Sequence, residues 1–242
     1  MLVVTLRITS ERCVVVSMKS KKPKGALEPL IEQLKSEDPA ERTKAARALG
    51  DSKNTEGVAF LVIALKDKNR HVRRAASAAL GNVWNDEAVL PLCAALKDSD
   101  WFVRWNAALA LGQIGDKKAE KHLIGALQDK NRYVRRNAAE ALGNIRSLIA
   151  TNGLIKALED GDVDVRWNAA EALGKMRDDN ATYALIRTLN DPDQFVRERA
   201  ANALGRIRDR RAVPALISAL SDIDDDVRKT VEEALEKIKQ RA

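Results

Sequence analysis

Reactive chemistry would have to come from very few side chains. The 242 residues contain two histidines, His71 and His122, and two cysteines, Cys13 and Cys93. They are scattered along the chain, and a metal centre is not expected from them. Two cysteines cannot build a disulfide framework or a four-thiolate zinc site, which points to a reducing, cytoplasmic setting. There is no Gly-rich phosphate loop, no nucleophile elbow and no Ser/His/Asp set. No catalytic residue and no cofactor are expected, and the chain reads as a non-enzyme. Binding is a different matter. Trp105, Arg136 and Trp167 are of the types most enriched at binding hot spots.

These residues are carried by a repeat. Arg42, Arg73, Arg104, Arg135, Arg166, Arg197 and Arg228 recur every 31 residues without an insertion, as do Leu30, Leu61, Leu92, Leu123, Leu154, Leu185 and Leu216. Residues 26–242 therefore divide into seven units. Apolar residues at i, i+3, i+4 and i+7 over Ala88–Leu96 predict a short first helix. A good N-cap such as Asp100 or Asn131 opens a longer second helix. In that helix Val103, Ala107, Ala110, Leu111 and Ile114 share one face. Gly81, Gly112, Gly143, Gly174 and Gly205 each cost about 1 kcal/mol inside a helix. Repeating that cost predicts backbones that cross too closely for a methyl group. A two-helix unit of this size cannot bury its own apolar face, so neighbours must stack. The predicted architecture is all-α, a solenoid of seven two-helix repeats. Cys93, in the column of Val62, Ile124 and Ile155, reads as a buried small hydrophobe.

The net charge of +7 is unevenly placed. Residues 1–25 carry six basic residues against Glu11, leaving 36 basic and 34 acidic residues in the repeats. The basic excess therefore argues little for nucleic acid. Residues 2–8 and 13–18 resemble two short strands. Either Met18 is the true start, or a hairpin covers the first unit. At the other end, Val231-Glu232 replaces an Ala-Ala pair and Lys237, Lys239, Gln240 and Arg241 follow, so a polar terminal face is expected. No apolar run approaches the ~18–20 residues that cross a bilayer, and no membrane association is expected.

The pattern L-x-x-x-L-x-D-x-D-x-x-V-R-x-x-A-A-x-A-L-G-x-I-G-D over residues 26–242 resembles the HEAT-like repeat named after the phycobilisome lyases. The resemblance implies a right-handed superhelix whose second helices line the concave face. It also implies that the Asp and Arg columns, Asp67 with Arg73 and Asp98 with Arg104, form a structural ladder between units. Di-iron hydroxylases built on HEAT repeats use paired His-Glu dipeptides, and this chain has none.

Opposite the apolar face of each second helix runs a stripe of four positions. It reads Phe102, Trp105, Leu109, Gln113, then Tyr133, Arg136, Glu140, Asn144. It continues with Asp164, Trp167, Glu171, Lys175 and with Phe195, Glu198, Asn202, Arg206. Five of the nine aromatic residues fall on it. Phe102, Tyr133 and Phe195 lie at helix starts, where an aromatic also serves to staple the turn. Trp105 and Trp167 are mid-helix, and adjacent packed helices place them about 16–20 Å apart with Arg136 between them. Stacking of Arg136 on one indole is expected to contribute ~0.5–2 kcal/mol. Asn106, Asn137 and Asn168 form a column at the edge of the stripe, either a ladder between units or the polar rim of a site.

The reading that follows is a protein-binding scaffold, expected as a monomer. A protein or peptide partner would sit in the concave groove on Trp105, Arg136 and Trp167. Phe102, Leu109, Tyr133, Asn106, Asn137, Asn168, Glu171 and Phe195 would surround it. The family name suggests an alternative, an accessory lyase-like protein that holds a bilin or similar tetrapyrrole. A nucleic-acid-binding solenoid is the third reading, opposed by the near-neutral charge of the repeats.

Overall fold

The computed structural model describes residues 27–240, and these form fourteen α-helices in seven pairs. The first helices are α1 (Glu28–Gln33), α3 (Val58–Ala64), α5 (Val89–Ala95), α7 (Glu120–Ala126), α9 (Thr151–Ala157), α11 (Thr182–Thr188) and α13 (Val213–Ala219). The second helices are α2 (Pro39–Asp51), α4 (Arg70–Val83), α6 (Trp101–Ile114), α8 (Arg132–Ile145), α10 (Val163–Met176), α12 (Gln194–Ile207) and α14 (Asp225–Lys239). No strand occurs among the described residues. The two strands expected in residues 2–8 and 13–18 lie outside them.

Each element begins and ends for a local reason. Asp100 accepts hydrogen bonds from the backbone N–H groups of Phe102 and Val103 and opens α6, and Asn131 accepts that of Tyr133 to open α8. The second helices from α4 to α12 close on a left-handed residue, Trp84, Gly115, Arg146, Arg177 and Arg208 in turn, and α2 is followed by the left-handed Lys53. A short 3-10 turn then leads into the next first helix, as at Lys117–Ala119 before α7.

The layer of second helices holds the stack together, each packed on the next from α2 to α14. The helical glycines permit this. A Cβ on Gly112 would lie 2.8 Å from the Cβ of Ala141, and one on Gly205 would lie 2.9 Å from that of Ala234. The predicted close crossing is thus where the glycine column lies. The leucine columns fill the space between layers, with Leu61, Leu92, Leu123, Leu154, Leu185 and Leu216 fully buried.

An arginine–aspartate ladder joins the units, but with a different register from the expected one. Arg73 donates through Nε and Nη2 to both oxygens of Asp98 in the following unit, at 2.7 and 3.0 Å. Its Nη1 takes the backbone carbonyl of Asp67 at 2.9 Å. Asp67 itself is bound by Arg42. The pairing Asp67 with Arg73 is therefore replaced by a carboxylate one unit ahead, because that is where the extended guanidinium reaches. Six such forks run from Arg42 to Arg197. Arg228, in the last unit, pairs with Asp225 of its own helix.

The terminal face is less polar than expected. Ile217 and Leu220 are 55% and 37% exposed, whereas Cys93 and Leu189, in the same two columns of inner units, are 2% and 6% exposed. Ile223, between α13 and α14, is 93% exposed. The columns of Ile217 and Leu220 are apolar in every unit because a following unit normally covers them, whereas that of Ile223 is apolar in no preceding unit, and the polar substitutions lie in and after α14.

Candidate functional site

The side of the second-helix layer away from the first helices carries the predicted stripe, and it divides into two parts. The first is an aromatic cluster at the start of α6 and α8. Trp105 and Phe102 have ring centroids 4.9 Å apart. Trp101 meets Phe102 edge-on at 5.3 Å and stacks on Tyr133 across the unit boundary at 5.8 Å. Arg74, held by both oxygens of Asp100, lies 5.1 Å over the Phe102 ring. The Arg74 bonds hold the Asp100 carboxyl below the usual carboxylate range, against the opposing effect of burial. Trp105 is only half-buried, yet its ring packs against the hydrophobic core and its Nε1 is buried without an acceptor. It is thus partly a core residue, contrary to the fully outward orientation expected. Leu109, one turn further along α6, is also half-buried.

The second part is a hollow of about 760 Å³ over α8, α10 and α12. Arg136, Trp167, Asn168, Glu171 and Phe195 line it, five of the predicted residues together. Glu140, Asp164, Lys175, Asp193 and Arg199 complete its charged wall. Trp167 is half-buried, and its ring is covered not by Arg136 but by Arg199 of the next unit, 4.3 Å from the ring centroid. Arg136 stacks on neither indole; its nearest carboxylate is Asp164, at 4.0 Å. Glu171 anchors the other side, accepting from Arg199 at 3.1 Å and Arg206 at 2.8 Å, with Lys175 at 4.0 Å. Phe195 is 58% exposed at the rim, so it does not staple its own turn.

The asparagine column is mostly buried. Asn106 donates to the backbone carbonyl of Arg74 in the preceding unit, and Asn168 to that of Asp164 in its own helix. Asn137 is 2% exposed, with a buried Nδ2 that has no partner. Asn106 and Asn137 therefore lie in the seam between units instead of forming an open rim, and Asn168 alone of the three borders the hollow.

Sequence reasoning missed Trp101 and Arg199. The signal for Arg199 was present, since in the sixth unit it follows three successive asparagines in one column. Trp101, outside the four-position stripe, is the first residue of α6. Elsewhere, burial and the nearby Asp116 push the Cys93 thiol up to about 12, which leaves it protonated and inert. His71 and His122 are both exposed, and no group of three or more His, Cys, Asp or Glu side chains among the described residues is placed to hold a metal. No described helix is long and apolar enough to cross a membrane.

The sequence pattern of the HEAT repeats matches residues 27–94, 89–152 and 151–236. The chain belongs to the HEAT-repeat family. Among solved structures, this HEAT-repeat chain is similar to the complex of CpcE and CpcF of phycocyanin lyase from Nostoc sp. PCC7120. The identity is 24%, the match covers 96% of this chain and 100% of that one, and the TM-score is 0.59. An engineered protein is 27% identical over 89% of this chain and 68% of its own, with a TM-score of 0.63. A designed armadillo repeat protein in complex with the peptide (KR)4 is 22% identical over 88% of this chain and 100% of its own, with a TM-score of 0.57. No curated protein sequence matches the chain. Likeness at this level of identity carries the solenoid fold.

Proposed function

We propose that this HEAT-repeat chain is a non-catalytic scaffold that binds a protein or peptide partner in the concave groove of its second helices. The observation that carries the reading is the hollow over α8, α10 and α12. It offers Trp167 beneath Arg199 and an exposed Phe195 beside Glu140 and the loosely paired Arg136 and Asp164. An aromatic anchor within a mixed-charge rim is the composition of a protein-binding hot spot. The aromatic cluster of Trp101, Phe102, Trp105 and Tyr133 extends that surface by one unit. The designed armadillo neighbour, of similar fold, is in complex with the peptide (KR)4, which supports a peptide as the kind of partner.

Selection from a random peptide display library against the intact protein tests this. Selected peptides should lose at least tenfold in affinity to Trp167→Ala combined with Arg136→Ala, and keep it with Lys121→Ala on a first helix. Peptides indifferent to the groove pair would refute the reading. The phycocyanin lyase neighbour motivates a second reading, in which the hollow holds a tetrapyrrole. Its volume lies within the usual range for small-molecule sites, ~300–1,000 Å³. An unchanged bilin absorbance spectrum on mixing with the protein dismisses it.

A further inference from the structure

Beside the hollow, at the C-terminal ends of α8, α10 and α12, runs a row of cations. Arg146, Arg177 and Arg208 follow these helices with φ of 54, 57 and 59°, each exposed. Among the described residues none of the three has an ion pair or hydrogen bond through its side chain. A left-handed residue at a helix end favours glycine, and the same position after α6 is Gly115, with φ 76°. Attraction of a cation to the carbonyl end of a helix is the ordinary reason for basic residues there. It accounts for a cation in this column, which holds Lys53 (φ 50°) in the first unit before Trp84 and Gly115, but it is served by lysine and does not by itself call for arginine three times in succession. Arginine in three consecutive units, where glycine is the relaxed choice, is a feature of the surface.

The row adjoins the groove. Arg177, Arg206, Ile207 and Arg208 line a second hollow of about 280 Å³. Arg206 reaches from there to Glu171, and Lys175 lines the main hollow. Glu171 is shared by Lys175, Arg199 and Arg206, and the hollow also holds Glu140, Asp164 and Asp193, so the unpaired cationic charge is that of the rim, at Arg146, Arg177 and Arg208. Asp178 and Asp209 follow Arg177 and Arg208 in the chain, but their carboxylates cap the next turns and accept the hydroxyls of Thr151 and Thr182.

We infer that this rim receives the carboxylates of an acidic, extended partner segment whose apolar side chains occupy the neighbouring hollow. The inference rests on the groove reading and names its ligand class. Adjacent helices lie about 8–10 Å apart, and a chain extended as polyproline II advances ~3.1 Å per residue with three residues per turn, so every third side chain returns to the same face. One carboxylate at every third residue therefore meets Arg146, Arg177 and Arg208 in turn. A uniform polyphosphate is disfavoured, because Glu140, Asp164 and Asp193 line the adjoining hollow. An intervening aromatic residue suits the Trp167 and Phe195 surface instead.

A fluorescein-labelled peptide repeating Glu-Phe-Ser is the probe, followed by anisotropy against the full chain. Its Lys-Phe-Ser counterpart and an oligothymidylate are the comparisons. The Glu peptide should bind in preference to both, more weakly as salt rises. Arg177→Gly with Arg208→Gly copies Gly115, so the variant keeps its helix caps, and it should lose at least tenfold in affinity. Failure of the Glu peptide to bind, unchanged affinity in the double variant, or tighter binding of the oligothymidylate each overturns the inference. If the Lys peptide binds instead and Trp167→Ala abolishes that binding, the groove reading stands and the acidic-segment inference falls. If bound peptide of either charge ignores Trp167→Ala, the groove reading falls too.

Discussion

Arg104 and Asp129 lie 25 residues apart and form a two-pronged ion pair, with Nε and Nη2 at 2.6 and 2.9 Å from the two carboxylate oxygens. Nη1 of the same guanidinium takes the backbone carbonyls of Asp98 and Ser99. One side chain thus ties the end of its own unit's first helix to the turn of the next. Burial, the largest single influence on the Asp129 carboxyl, pushes its pKa up. The bonds from Arg104 and from the backbone N–H of Asn131 outweigh it and leave the group below its ordinary value. Arg104 is 5% exposed, so removing its partner leaves a buried, uncompensated charge. Asp129→Ala should destabilise the fold by about 3–5 kcal/mol, read from the urea midpoint. A shift under 1 kcal/mol would show that the fork is dispensable.

The forks also set the acid limit. Asp100 and Asp222 are held below the usual carboxylate range, chiefly by hydrogen bonds from Arg74 and Arg197. Asp209, bonded by Arg211, is lowered to about 2. A carboxyl whose folded pKa is depressed contributes stability above its unfolded value, near ~3.9. That contribution is lost as pH falls through the folded value. Stability should therefore decline from about pH 4 towards pH 2, with little change between pH 5 and 8, as followed by circular dichroism melts. A flat profile down to pH 2 contradicts this.

Two glycine substitutions should act in opposite directions. Gly112→Ala places a methyl group 2.8 Å from the Ala141 Cβ and 2.9 Å from its Cα, and should cost roughly 1–3 kcal/mol or more as α6 and α8 are pushed apart. Gly125→Ala, on α7, meets nothing within 4 Å and should stabilise by up to about 1 kcal/mol. Thermal midpoints of the pair give the comparison, and equal signs would contradict the packing described.

The two groove tryptophans should separate binding from stability. Trp105 packs against the core, so Trp105→Ala should lower stability by roughly 2–4 kcal/mol. Trp167 rests beneath Arg199 on the open side, and Trp167→Ala should cost about 0.5–2 kcal/mol. Peptide affinity should fall in the Trp167 variant at unchanged fold, measured by anisotropy alongside the melts. Equal melting shifts would place both rings in the same environment.

Much of this protein could be read without coordinates. A strict 31-residue period, an N-cap before each second helix, and columns of leucine and glycine follow from local chemistry repeated seven times. In a stack, each unit contacts only its neighbours, so local rules propagate into the whole fold. Even the close crossing at Gly112 was foreseeable, because a costly residue kept at one position needs a steric reason.

What the period could not show is how neighbouring units meet side chain by side chain. Arg73 lies six residues from Asp67 along the chain but bonds Asp98 across the seam. Likewise, the cation over Trp167 is Arg199, from the unit ahead, and Arg136 is left beside Asp164. A helical wheel assigns each residue an angle on its own helix. Partner choice depends on the offset and tilt between helices, which a long arginine can span and a wheel does not contain. The same packing turns Trp105 towards the core and keeps Trp167 at the edge of the hollow, although the two occupy one column of the repeat.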